Sequence, residues 1–157
     1  MAATGTPSPD DDALLRALAE LYRDADARFA GWSCPASTAC CRFGVTGREP
    51  YVTSIELLAL RRALARRGGP LSPRRRALAL APSARDERTC SLLDRDGRCA
   101  VYADRPLGCR TFHCGDATPG APVGRAELAE LVRRVQALAE RHQADGARAR
   151  PLSRALP

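Results

Sequence analysis

Seven cysteines in 157 residues constrain this chain more than any other feature. They are Cys34, Cys40 and Cys41, then Cys90, Cys99, Cys109 and Cys114 after a gap of 48 residues. The spacing reads C-x5-C-C, then C-x8-C-x9-C-x4-C. None of them falls in a segment with long helical periodicity, so all are expected in loops or on a hairpin, where distant segments can converge. The remaining core is lean. The hydrophobic fraction is 45%, much of it Ala, and aromatics make up 4%. A chain with so thin a core is expected to be held in part by cross-links through its cysteines.

The start, "MAATGTPSPDDDALL", has no basic segment followed by an apolar one, so it does not read as a secretory signal. No stretch has the length of a membrane span. The expectation is a soluble, cytoplasmic protein, where thiols stay reduced and clustered cysteines bind metal or do redox chemistry. Disulfides are the weaker reading, since an odd count leaves one cysteine unpaired.

Charge is less informative than it looks. The formal net charge is +7, but every Lys/Arg position is Arg, Asn is absent and Ile55 is the sole isoleucine. That is the signature of a compositional bias, and it weakens basicity as evidence of a selected anion-binding surface.

Along the chain, residues 1–9 read as a disordered lead-in. Residues 10–32 read as a helix with Asp10, Asp11 and Asp12 at its positive end and Leu14, Leu18, Leu21, Tyr22, Ala25 and Phe29 on one face. "FGVTGREPYV" carries turn chemistry without a helical period. The next helix opens on a capping box, Thr53 with Glu56, bears a Leu57–Leu60–Leu64 stripe and stops at Gly68-Gly69-Pro70. Ser72 and Pro73 cap a further short helix that ends near Pro82. Two short apolar runs, Cys90–Leu93 and Cys99–Tyr102, flank "DRDG" and predict a β-hairpin with a cysteine on each arm. "ADRPLGCRTFHCG" reads as a compact loop or helical turn. The last long helix, 125–143, gathers Leu128, Leu131, Val132, Val135, Leu138 and Ala139 on one face. The tail 145–157 has little in its sequence to hold it and is expected to be flexible. The predicted fold is mainly α with one small β-hairpin: a single metal-stapled helical domain over 10–144.

The spacings match neither the C-x2-C knuckles of zinc ribbons nor ferredoxin runs. Adjacent side chains in extended backbone point to opposite faces, so Cys40 and Cys41 reach one metal only if the backbone bends there. Seven thiols exceed the four that one tetrahedral ion needs, which leaves one centre or two open.

"CPASTACC", "TSIELLAL" and above all "CSLLDRDGRCAVYADRPLGCRTFHC" resemble the YkgJ-type cysteine-cluster family, described as zinc- or iron-chelating and named for a CxxCxxCC motif. The resemblance runs from about Trp32 to Cys114. It implies that Cys34, Cys40, Cys41, Cys90, Cys99, Cys109 and Cys114 supply metal ligands. Ser37 stands where the family's first motif has its second cysteine, and a serine oxygen is a poor ligand for soft metals. Similar cysteine patterns occur in flagellin lysine methylases, which are iron–sulfur proteins, so the resemblance favours an iron–sulfur cluster over zinc. It leaves open a role as a component of a redox or methylation system.

Around these ligands, Arg105 and Arg110 flank the "RPLGC" turn and are expected to offset thiolate charge from behind it. His113 would join them as a neighbour of Cys114, although a loop histidine packed beside Phe112 is the plainer reading. Between Glu56 and Asp86 stand Arg61, Arg62, Arg66, Arg67, Arg74, Arg75, Arg76 and Arg85 with no acid, the best candidate for a phosphate-binding face. Without interleaved aromatics it lacks a stacking platform, so a solvated helix face is the plainer reading. No nucleophile elbow, phosphate loop, dinucleotide fingerprint or triad pattern occurs. The leading expectation is therefore a metal-binding protein with an electron-transfer or accessory redox role and an unidentified protein partner. The alternative is a zinc-stapled module whose arginine-rich helices bind an acidic partner or nucleic acid.

Overall fold

A computed structural model describes residues 9–34, 38–71, 89–94, 96–113 and 117–156. The fold is mainly α, as expected. Helix α1 spans Pro9–Arg28, α2 Phe43–Thr46, α3 Ser54–Arg66, α4 Leu107–Arg110, α5 Arg125–His142 and α6 Leu152–Ala155. Strands β1, Tyr51–Val52, and β2, Arg150–Pro151, form a small antiparallel sheet. No helix among the described residues is long and apolar enough to cross a membrane.

α1, α3 and α5 pack together because their leucine stripes meet. Leu14, Leu18, Leu21, Tyr22 and Ala25 of α1 join Ile55 of α3 and Leu131, Val135 and Ala139 of α5 in one buried cluster, with Leu107 beneath them. Fully burying each large aliphatic side chain contributes about 1.5–3 kcal/mol. Val132, expected on the buried face, is instead 41% exposed, at the edge of the stripe. Charged pairs border the seam between α1 and α5: Asp24 accepts from Arg28 at 3.0 Å and from Arg134, and Arg28 also reaches Glu130 at 3.1 Å.

The opposite face of α3 builds a second cluster. Leu60, Ala63 and Leu64 pack with Phe43, Val52, Cys90, Leu92, Val101 and Leu152, and Cys41 and Cys99 lie against them. α3 is thus the wall between the two halves of the core, and the cysteine loops lie on its second side.

The capping box forms, with the Thr53 N–H donating to Glu56 at 2.9 Å. α1 begins at Pro9, tolerated in a first turn, and ends at Arg28, short of Trp32. Four expectations need correction or restriction. "FGVTGREPYV" holds α2 and β1, elements too short for periodicity to reveal. The sheet joins residues distant in sequence. The 90–102 segment, by contrast, keeps only a hairpin's core: Leu93 and Cys99 form a single antiparallel bridge, with Gly97 at φ +72° in the turn. The tail, expected to lack partners, has several. Leu152 is 1% exposed, Arg150 and Pro151 pair with β1, and the Ser54 N–H donates to the Gly146 carbonyl at 3.1 Å. The helix expected over Ser72–Pro82, the lead-in before Pro9, Ser37 and Cys114 lie outside the described residues.

Candidate metal centre

Three loops bring the cysteines together, and each bends for a local reason. Thr38 takes the left-handed conformation, φ 56°, and turns the chain into a 3-10 turn over Ala39–Cys41. A β-branched residue resists that conformation, so the surroundings must hold it there. The bend supplies what an extended backbone would not: the Cys40 and Cys41 sulfurs lie 4.0 Å apart.

The second loop is tied directly to the first. The Cys90 N–H donates to the Cys41 carbonyl at 2.8 Å, and Arg42 bridges Thr89. The Ala100 N–H donates to the Leu92 carbonyl at 2.8 Å, which returns the chain past Cys90 and presents Cys99. Arg67, the residue that follows α3, donates to the Ala100 carbonyl and fixes this arm from behind.

The third loop carries Cys109 on α4. Pro106 starts the helix, and the Cys109 N–H donates back to its carbonyl at 2.9 Å. The Leu107 N–H donates to the buried Glu56 carboxylate at 2.8 Å, docking α4 onto α3. All six described cysteines line one cavity of about 470 Å³, whose other walls include Phe43, Leu92, Val101, Pro106 and Leu152. No disulfide joins these six.

The thiols sense one another. The hydrogen bond from Cys41 raises the Cys40 thiol, and burial adds to it. For Cys41 the bond to Cys40 acts downward, but the bond to Cys90, burial and the nearby sulfurs outweigh it and leave the thiol pushed up to about 12. Burial raises Cys99, with Cys40 contributing, and raises Cys109, with Cys99, Cys41 and Cys40 contributing. Each thiolate therefore disfavours the next, and a bound cation would reverse that balance. Arg105 pulls the other way on Cys40, Cys99 and Cys109.

This donor set fits a soft metal: thiol sulfur on several sides, an apolar floor and a cation alongside. Among the described residues, no three Cys, His, Asp or Glu side chains are placed to close on a single ion. The sulfurs surround a volume instead. The half-buried Arg105 lines the cavity, and its Nε is buried without a hydrogen-bond partner. A sulfur-rich centre would supply the acceptor that Nε lacks.

The two arginines expected behind the ligands have different tasks. Arg110, 6% exposed, spends its donors on structure: Nε to the Arg105 carbonyl at 2.7 Å, Nη1 to Asp26 at 2.6 Å and Nη2 to the Ala103 carbonyl. It shapes the segment that aims Arg105. The His113 ring lies 4.6 Å from Trp32 and 5.4 Å from Phe29, while Phe112 lies under Arg48. Burial, then Arg105, lowers its pKa. Glu56 was legible as a cap, but its second task escaped the sequence, because capping alone accounts for a Glu three residues after Thr53.

Of the arginine-rich stretch, Arg62 pairs with Asp12, Arg66 with Asp104 at 3.0 Å, and Arg67 with the Ala100 carbonyl. Three of its four described arginines are thus turned to internal partners. Arg74, Arg75, Arg76 and Arg85 lie outside the described residues.

A family model, CxxCxxCC, described as "Putative zinc- or iron-chelating domain", matches residues 33–130, more than half of the chain. Neither the curated proteins nor the solved structures contain a match.

Proposed function

The chain belongs to the CxxCxxCC family of metal-chelating domains, and on that premise we propose that its cysteine loops hold an iron–sulfur centre with an electron-transfer or accessory redox role. The observation that carries this reading is the arrangement of the sulfurs. Six thiols line one cavity of about 470 Å³, more than the four that a single tetrahedral ion takes. A mononuclear zinc site asks for four donors converging at about 2.0–2.3 Å from the ion. A cluster brings its own bridging sulfur and takes thiolates spaced around a larger body.

Cys40, Cys41, Cys99 and Cys109, which influence one another most, would hold the centre, with Cys90 beside Cys41. Such a centre supplies one-electron chemistry when bound. The chain's own contribution is to exclude water with Phe43, Leu92, Val101 and Leu152 and to set the local charge with Arg105; both are levers on a cluster's potential. The zinc-stapled nucleic-acid module is the weaker reading, because Arg62, Arg66 and Arg67 are engaged within the fold.

Anaerobic purification followed by iron, sulfide and zinc analysis on one sample tests the proposal. A brown protein with matched iron and sulfide is expected. A colourless protein with stoichiometric zinc overturns it.

A further inference from the structure

Beside the cysteine cavity lies a second, smaller recess of about 190 Å³. The two share Cys34, Cys40, Cys109, Tyr102 and Arg105. The sulfurs of this shared wall are therefore approached from both sides. A structural metal site is closed by its ligands, whereas a reactive one keeps a position open.

The far side of the recess is aromatic and held in place. His113 stacks on Phe29 there, with Trp32 tilted against the His113 ring at 4.6 Å and Phe112 also lining the recess. The Trp32 indole N–H donates to the Ala121 carbonyl at 3.1 Å, and Ser33 bridges Thr118 through two N–H···O bonds of 3.1 and 2.9 Å. Gly120 permits this contact, because a Cβ there would lie 2.4 Å from the Gly31 carbonyl carbon. The wall exists before any ligand arrives, which lowers the cost of binding.

The charge of the recess is equally specific. Asp26 lines it, but that carboxylate is paired with Arg110 at 2.6 Å, and Arg110 gives its remaining bonds to backbone carbonyls. Arg105 is left with cationic charge on this wall. Its guanidinium lies 3.8 Å above the Tyr102 ring, on the wall that the recess shares with the cysteine cavity. Pockets for drug-sized ligands run to about 300–1,000 Å³, so this one admits only a small molecule.

We propose that the recess binds a small, flat carboxylate, stacked on the Trp32–His113 wall with its anionic group on Arg105 and against the outer face of the metal centre. Arg105 is the specificity-determining residue and the aromatic wall selects for planarity. The inference deepens the reading above and rests on the cysteines as metal ligands, but it does not depend on which metal they hold.

Trp32 is the chain's sole tryptophan, so its fluorescence reports on the recess directly. The anaerobically purified full chain is titrated with benzoate and, separately, with benzamide, which has the same shape without the charge. Benzoate is expected to change Trp32 emission saturably and to bind about ten-fold more tightly than benzamide, the scale of one charge-assisted hydrogen bond. Arg105→Gln is expected to remove that preference. Equal affinities for the two probes in the wild-type chain, or no saturable change, would overturn the proposal even if Arg105→Gln failed to fold. Metal analysis of the same samples separates the two readings: zinc in place of iron with benzoate selectivity intact defeats the iron–sulfur assignment alone.

Discussion

Glu56 on α3 and Leu107 at the head of α4 lie 51 residues apart, and the buried carboxylate of one accepts the backbone N–H of the other at 2.8 Å. The same carboxylate accepts the Thr53 N–H and hydroxyl at 2.9 Å and the Tyr22 hydroxyl at 3.3 Å. Four donors thus converge on a side chain that is 2% exposed. An amide of equal size must turn a donor toward one of them. Glu56→Gln is therefore expected to destabilise the fold by about 1–3 kcal/mol, the cost of a buried donor left unsatisfied. Because Leu107 leads into Cys109, metal retention should fall with it. Denaturant unfolding and metal analysis of one preparation check both.

Arg110 has an analogous position. Its planar fork holds two backbone carbonyls and Asp26, and its guanidinium lies 4.2 Å over the Tyr22 ring. Lysine keeps the charge but not the fork. Arg110→Lys is expected to cost about 1–3 kcal/mol through the unpaired carbonyls. Since Arg105 would lose its support, selectivity for benzoate over benzamide should also weaken. Stability loss with full selectivity would mean that Arg110 does not position Arg105.

Asp24 sets an acid limit on the packing of α1 against α5. Hydrogen bonds from Arg28 and Arg134 hold its carboxyl below the ordinary value of 3.8. A carboxyl lowered in the folded state contributes stability that is fully present above the unfolded value and lost as pH falls through the folded one. The stability difference between the wild-type chain and Asp24→Asn should therefore be constant at neutral pH and shrink below about pH 4. Urea midpoints measured across that range, with high salt as the screening control, test it. A difference that widened with acidity would contradict the assignment.

How far the sequence could be read depended on how local each cause was. The stripes of α1 and α5 and the Thr53–Glu56 cap were legible because their partners lie three or four residues apart. The tail was not, because it is held by one buried leucine, Leu152, and two strand residues whose partners stand about 100 positions earlier. The bend that brings Cys40 beside Cys41 depends on the backbone of Thr38, a residue type that seldom takes positive φ. Arg105 and Arg110 looked equivalent beside "PLG". Only the fold distinguishes them, by giving one a full set of acceptors and leaving the other a bare Nε.

The cysteines themselves should separate by burial and by company. Cys109 is raised by burial and by three neighbouring sulfurs, whereas Cys34 is exposed at the rim. Cys109→Ser exchanges a soft donor for a hard one inside the group. It is expected to bleach the chromophore and to cut metal affinity by about ten-fold or more, at least 1.4 kcal/mol. Because binding joins segments far apart in the chain, that loss should also appear in folding, as a lower unfolding midpoint and greater sensitivity to chelator. Cys34→Ser should keep the colour and most of the stability. Absorbance, iron content and unfolding midpoint, compared for both variants before and after chelation, decide the matter. An unchanged spectrum and iron content in Cys109→Ser would exclude Cys109 as a ligand, and a bleached Cys34→Ser would move the centre toward the rim.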